Sequence, residues 1–371
     1  MRILQVIGGL ASSSGTTPAV LALSDRLANA GHGVDIFYVS GRTPDTVMPS
    51  SPGVHVEGFP LNGPRIWAGS CALSRALMDR AGAYDVIHGY SLWLFPNIAV
   101  SRACGRAGRP YIISPQGALD HWALSHHGLR KKIYAELIER RILSRAACIQ
   151  CVTEHEVSLV KNFGLSTKTA IIPNGVETGF FNPSAKQYPP EILFLSRLHP
   201  KKGLDILLPA FAAARRECPG IRLTIAGGDG GSGYRKTIEA LIAGLGLGDC
   251  VRLVGELRGG EKTAAFESSG MFILPSRSEG HPLAALEAME RGLPVILTPQ
   301  CYLPEAAEQG AGLIAGADVQ EISQAIVRLA SSEPERRKMG HAARRLIEEQ
   351  FSADRIASLQ AELYKEVAAK G

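Results

Sequence analysis

EILFLSRLHPKKGLDILLPAFAAARRECPGIRLTIAG, residues 191–227, reads as strand, basic loop, helix, turn and strand. The apolar run Ile192 to Ser196 gives way to a polar loop, then to a helical pattern over Leu204 to Arg216, stopped by Pro219-Gly220 before a second strand begins. The start of the chain has the same plan. A strand, Arg2 to Ile7, meets the small-residue loop GGLASSSGTTP; a helical pattern over Pro18 to Ala30 is ended by Gly31 and Gly33, and the strand VDIFYVS follows. Alternating strands and helices argue for parallel sheets covered on both faces. Two such units predict an α/β chain of two Rossmann-like domains that face each other across a cleft. In open parallel sheets, ligands bind beyond the carboxyl ends of the strands, so the loops there are where chemistry is sought.

Length and composition agree with two domains. The chain has 371 residues, against a prior of roughly 150 per domain. Its hydrophobic fraction of 45% and charged fraction of 20% are those of an ordinary globular protein with a real core. The Pro-, Gly- and Asn-rich stretch PNGVETGFFNPSAKQYPP (173–190) lacks sustained periodicity and marks the boundary. The expected domains are 1–175 and 176–350, with a final segment 351–371 carrying a helix over Ser352 to Ala369. No stretch reaches the ~18 apolar residues of a membrane span. The apolar start MRILQVIGGL lacks a cleavage site and reads as a strand, which predicts a cytoplasmic protein. Seven scattered cysteines suggest reduced thiols. Cys148 and Cys151 lie three apart in a β-like run, which aims them at opposite faces, and no second ligand pair follows at zinc spacing. A net charge of +5 permits an anionic substrate or bilayer without demanding nucleic acid.

A dinucleotide enzyme is the obvious rival. Its G-x-G-x-x-G loop and its acid at the end of the second strand are both missing: the first loop reads Gly8-Gly9-Leu10-Ala11-Ser12-Ser13-Ser14-Gly15, and the strand ends Tyr38-Val39-Ser40. Gly9 and Gly15 can still let an anionic ligand approach the backbone at a helix start, and a plain strand-to-helix turn is the equal alternative.

The second half concentrates groups suited to a sugar diphosphate. Arg197 and Lys202, five apart in the loop after a strand, can aim two cations at one diphosphate. In FILPSRSEGHPLAALEAMERGLPVILT a strand, Met271 to Leu274, leads to Glu279 and Gly280, and Pro282 suits the first turn of the following helix. Glu287 lies within that helix, with seven residues between it and Glu279. Ionised carboxylates only accept hydrogen bonds, which fits them to sugar hydroxyls. Gly280, His281, Pro282 and Leu283 bring backbone amides to a helix N-terminus, a natural phosphate site, the prolyl nitrogen excepted. LTIAGGDGGSG (223–233) is a further glycine-rich loop after a strand, and Gly255 and Leu257 of CVRLVGEL can lie beside a base.

Together these residues resemble the retaining glycosyltransferases of family 4, which have the GT-B fold. The resemblance covers nearly the whole chain and rests on IPNGVE (172–177), SRLHPKKG (196–203), LTIAGGDG (223–230) and above all PSRSEGHPLAALEAMERGLPVI (275–296). It implies that Arg197 and Lys202 grip the donor diphosphate, that Glu287 holds the ribose hydroxyls, and that Glu279 lies near the donor sugar beside the backbone cradle Gly280 to Leu283. It also implies a final helix that crosses back to the first domain, and retention of anomeric configuration. In the first half, YDVIHGYSLW resembles the family's strand that ends near the acceptor cleft, which implies that His88 lies by the acceptor. SPQGALDHWALSHHG has Gln116 where many members carry a functional histidine, with Asp120 and His121 just beyond as possible sugar or acceptor contacts, or Asp120 as a helix cap.

The mechanism expected is electrostatic: fixed cations stabilise the charge that grows on the departing diphosphate. No D-x-D motif occurs, so neither metal nor cofactor is expected, and closure about residues 173–190 would assemble the site. GLRKKIYAELIERRILSRA (128–146) reads as a basic amphipathic helix with an apolar stripe of Leu129, Ile133, Leu137 and Leu143. It suits either a solvated face on a core helix or contact with the inner face of an anionic membrane. The acceptor is then a saccharide or a lipid-linked saccharide, in surface polysaccharide or lipopolysaccharide synthesis. A nucleotide-sugar epimerase and a non-catalytic nucleotide-sugar binder are the alternatives.

Overall fold

The computed structural model describes residues 1–11, 15–42, 46–120, 134–179, 181–182 and 186–370. The chain forms two compact units, Met1–Gly175 with Ala353–Gly371, and Val176–Ser352.

In the first unit, β1 (Arg2–Ile7), β2 (Gly33–Ser40), β3 (Val54–Pro60), β4 (Val86–Tyr90), β5 (Tyr111–Ser114), β6 (Cys148–Cys151) and β7 (Thr169–Ile171) form one sheet in the order β3-β2-β1-β4-β5-β6-β7. Every pairing is parallel. Strands buried on both faces must be apolar on both, and β1 divides its side chains accordingly: Leu4 and Val6 enter one core, Ile3 and Ile7 the other. Cys151 and Cys148 separate in the same way, as buried free thiols in the two cores. The helix Ala353–Ala368 packs on the second of these cores with Ile356, Leu363, Tyr364 and Val367. Tyr364 is wholly buried and accepts a hydrogen bond from Gln5 of β1 at 3.1 Å.

In the second unit, β8 (Glu191–Leu195), β9 (Arg222–Ala226), β10 (Val251–Gly255), β11 (Met271–Leu274), β12 (Val295–Leu297) and β13 (Gly312–Ile314) are again all parallel, in the order β10-β9-β8-β11-β12-β13. The helix Leu204–Glu217 buries Leu204, Leu207, Leu208 and Phe211, the i, i+3, i+4, i+7 face of an amphipathic helix. Each sheet reverses its winding once, between β1 and β4 in the first unit and between β8 and β11 in the second.

The described part of the basic segment is one helical run from Tyr134 to Arg145, with a π-turn, Ala135–Glu139, that passes directly into the α-helix Arg140–Arg145. A π-turn inserts an extra residue per turn and rotates what precedes it. The expected stripe therefore splits: Leu143 is fully buried, whereas Leu137 is 69% exposed. Leu129 and Ile133 lie outside the described residues.

Candidate functional site

In the second unit, two loops meet where the sheet order reverses. After β8 the chain makes a 3-10 turn, Pro200–Lys202, whose amide at Lys201 donates to the His199 ring at 3.1 Å. Gly203 then turns with φ +73°, and a Cβ there would lie 2.0 Å from the Pro275 carbonyl oxygen, so only glycine fits. After β11, the Arg277 amide donates to the Lys201 carbonyl at 2.8 Å, and its guanidinium reaches the Pro200 carbonyl at 2.7 Å and both oxygens of Asp205 at 2.8 and 2.7 Å. The two loops are thereby locked together.

This bracing sets Lys202 Nζ 2.5 Å from Glu279 Oε1, and both side chains are nearly buried. The Ser276 hydroxyl also donates to Glu279, and the Glu279 amide donates to the Gln300 carbonyl at 3.0 Å. Burial alone pushes the Glu279 carboxyl up, but the Lys202 ammonium and the Ser276 hydroxyl outweigh it and hold it below its ordinary range. The carboxylate is thus kept ionised and acceptor-only. One cation and one anion, fixed side by side at a strand end, can receive a phosphate and a hydroxyl of one ligand.

The helix Leu283–Glu290 begins directly afterwards, with Pro282 at its N-cap rather than in its first turn. The amides of Ala285 and Leu286 close onto the Pro282 carbonyl, so the earlier amides of Leu283 and Ala284 have no intrahelical acceptor. Gly280 and Leu283 are half-buried. The His281 ring is buried against Phe351, and burial pulls its pKa down to about 4, so it is neutral at pH 7. Glu287, half-buried on the helix, pairs with Lys262 at 2.7 Å. Arg197 is exposed, with no side-chain partner among the described residues. Gly255 has φ +80° and its carbonyl accepts the Gly227 amide at 2.6 Å; Leu257 packs half-buried on the core. Ser276 and Lys262 were not among the residues read from sequence. Ser276 stands three places before Glu279, a usable signal, while nothing in the pattern marks Lys262.

In the first unit, Gly9 is half-buried after β1, and Gly15 is the exposed N-cap of the helix Thr16–Asn29 with an ordinary φ of −65°. His88 requires a correction. The ring is fully buried, with Nδ1 2.7 Å from the Tyr364 hydroxyl and Nε2 2.7 Å from the Ser114 hydroxyl, and it stacks on Tyr90. Burial lowers its pKa to about 3. It is a neutral part of the core under the loops and not a residue that touches an acceptor, because both faces of a central parallel strand are covered.

Gln116, half-buried after β5, adopts φ +55°, unusual for a residue with a side chain. The following amide, of Gly117, donates to Glu156 at 2.6 Å, and the other oxygen of Glu156 accepts the Val152 amide at 2.8 Å. Burial raises the Glu156 carboxyl and these two amides pull it back, with a net upward shift. Thr153 caps the same helix, and T-x-x-E is a capping signature legible in the sequence. Asp120 is buried, 3.9 Å from the His155 ring. His121 lies outside the described residues.

Residues 177–346 match the family model described as Glycosyl transferases group 1, and residues 14–175 that of a glycosyl transferase 4-like domain. Similar proteins include D-inositol 3-phosphate glycosyltransferases of Streptomyces bingchenggensis, 27% identical over 96% of this chain and 86% of that one, and of Geodermatophilus obscurus, 28% identical over 86% and 78%. Among solved structures, sucrose-phosphate synthase from Thermosynechococcus elongatus superposes with a TM-score of 0.83 at 22% identity over the full length of both chains. Anabaena Alr3699/HepE in complex with UDP-glucose gives 0.77 at 17% identity over 99% of this chain and 100% of that one. At such identities the structures establish the GT-B fold alone.

Proposed function

The chain belongs to the group 1 glycosyltransferases, and on that premise we propose that it moves a sugar from a nucleoside-diphosphate donor to a saccharide or lipid-linked saccharide acceptor, with retention and without a divalent metal. The observation that carries this reading is the Lys202–Glu279 pair, held at 2.5 Å on the two loops where the second sheet reverses. As the glycosidic C–O bond breaks, the bonding electrons leave with the diphosphate. Lys202, Arg197 and the amides of Leu283 and Ala284 stabilise that growing charge. Glu279 accepts hydrogen bonds from the donor sugar, and Glu287, once Lys262 yields, from the ribose. Gly255 and Leu257 border the base. The first unit supplies the acceptor side through Gln116, Asp120 and His121.

UDP stands ahead of GDP as the donor base, since the Anabaena structure holds UDP-glucose on the same fold. Contact with an anionic membrane rests on the exposed Leu137 beside exposed Arg141, on a protein with no helix long and apolar enough to cross a bilayer among the described residues. The acceptor pathway on this reading is synthesis of a surface polysaccharide or lipopolysaccharide.

Thermal unfolding with UDP, GDP, ADP, CMP and NAD tests the donor site. One diphosphate at ~100 times its dissociation constant stabilises the fold by about 2.7 kcal/mol, and Lys202→Ala abolishes that shift. Stabilisation by NAD alone would overturn the reading. Turnover surviving exhaustive chelation is expected, and its loss would remove the metal-free part.

A further inference from the structure

The loop after β5 is held in a conformation that its own sequence disfavours. Residues Pro115 to Ala118 close a turn, the Ala118 amide donating to the Pro115 carbonyl at 3.2 Å. Both central residues have positive φ, +55° at Gln116 and +79° at Gly117, the signs of a type I′ turn. Such turns favour Asn-Gly, Asp-Gly or Gly-Gly, and a glutamine at the first place is strained. Among the described residues, five other than glycine have positive φ, and three of them, Ser91, Trp93 and Gln116, follow β4 and β5. Strain of this kind persists only where the surrounding structure holds it.

Glu156 holds it here. This residue lies in the first turn of the helix Glu154–Asn162, three residues after the N-cap Thr153. In a capping box the glutamate at that place reaches back to the N-cap amide. Glu156 does otherwise: one oxygen accepts the amide of Gly117, 39 residues earlier in the chain, at 2.6 Å, and the other accepts the Val152 amide at 2.8 Å. The side chain is buried, and these two amides are its partners, with no ion pair to a described residue. Burying a carboxylate without a cation is costly, and a cap at the protein surface would not require it. The same helix start meets the loop again through His155, whose Nε2 is 3.9 Å from Asp120, and Trp93 Nε1 donates to the Ala118 carbonyl at 3.2 Å.

We propose that Glu156 is a positioning residue of the acceptor side: bridging the Gly117 and Val152 amides, it keeps the turn left-handed and so fixes the direction in which Gln116 presents its side chain. This deepens the proposed function and rests on Gln116 facing the acceptor. Glu156→Gln keeps the shape but replaces one oxygen with an NH2 group, so one of the two amides meets a donor instead of an acceptor.

The test uses the full chain with UDP-glucose as donor and water standing in for the acceptor. Glu156→Gln is expected to lower kcat for UDP-glucose hydrolysis about tenfold or more, the effect of a group displaced beside the reacting atoms, with UDP affinity in calorimetry unchanged. Gln116→Ala gives a loss of the same size, and the double variant loses no more than either alone, because Glu156 acts through Gln116. A part played only in folding would make the two losses multiply. Glu156→Asp keeps the charge but is one methylene short of spanning both amides; it gives an intermediate loss and serves if Glu156→Gln fails to fold. The Gly117 amide proton, identified by its disappearance in Gly117→Ala, is expected far downfield in the NMR spectrum and moves upfield in both Glu156 variants. Losses that multiply, a Glu156→Gln chain that turns over within about twofold of the native one, or an unmoved Gly117 proton would each overturn the proposal alone. A native chain that binds UDP and leaves UDP-glucose intact would overturn the transferase reading, and this role with it.

Discussion

Two sheets of the same winding reverse at equivalent places, yet they are polarised in opposite ways. Where β8 and β11 diverge, a cation and an anion face each other, Lys202 against Glu279, with Lys262 against Glu287 on the next helix. Beneath the reversal of β1 and β4 lies a neutral network: His88, Tyr90, Tyr364, Ser114 and Gln5 exchange hydrogen bonds with no formal charge among them. A parallel sheet dictates where a ligand site can form but not its electrostatics. On the charged side the leading pair comes from the loops after β8 and β11, which carry Lys202 and Glu279; on the neutral side the groups sit in the strands themselves and in the final helix.

The largest effect that sharpens this contrast is on the charged side. Lys202→Ala should lower kcat by about 10²–10³-fold, the range for removing one fixed stabiliser of transition-state charge, with an unchanged circular dichroism spectrum as the control. A kcat within threefold of the native value would show that the second sheet's charge is structural.

The next concerns the neutral side. His88 has its pKa depressed to about 3 in the folded chain, against an ordinary 6.5. The unfolded chain then takes up a proton that the folded one refuses. The stabilising effect of a neutral His88 is therefore complete above pH 6.5 and lost as pH falls toward 3. His88→Gln should destabilise the first unit at pH 7, and that deficit should shrink by up to about 2 kcal/mol at pH 5. All three tryptophans, at 67, 93 and 122, precede residue 175, so urea unfolding followed by tryptophan emission reports on this unit. A deficit independent of pH would mean that His88 takes up its proton equally in the folded and the unfolded chain.

Smaller effects fall on the second charged pair. Glu287→Gln should weaken nucleotide binding about tenfold, the loss of charge-assisted bonds to hydroxyls. Lys262→Met should change it by less than about threefold, because half-exposed ion pairs contribute ~0–1 kcal/mol. Reversed magnitudes in calorimetric titration would make Lys262, not Glu287, the nucleotide contact.

The fold was largely legible because its signals are local. The period of Leu204, Leu207, Leu208 and Phe211, the stop at Pro219-Gly220 and the doubly apolar strands each fix one element without knowledge of the rest. The site was legible in residue types but not in partners. Glu279 and Lys202 are 77 residues apart, and no spacing rule brings a lysine to each acid. His88 misled because the resemblance placed it by the acceptor, while YDVIHGY carries the apolar weight of a strand buried on both faces. The π-turn was hidden because its backbone change leaves no mark in an amphipathic pattern. Glu156, by contrast, was announced by Thr153 three residues earlier and passed over.

The helix Ala353–Ala368 has a consequence for synthesis. The first unit is interrupted: its sheet is made from residues before 175, while Tyr364, which closes the hydrogen bonds of Gln5 and His88, is translated after the whole second unit. On the ribosome the half made first is the half finished last. Until residue 364 is made, Gln5 and His88 lack the phenol that joins them.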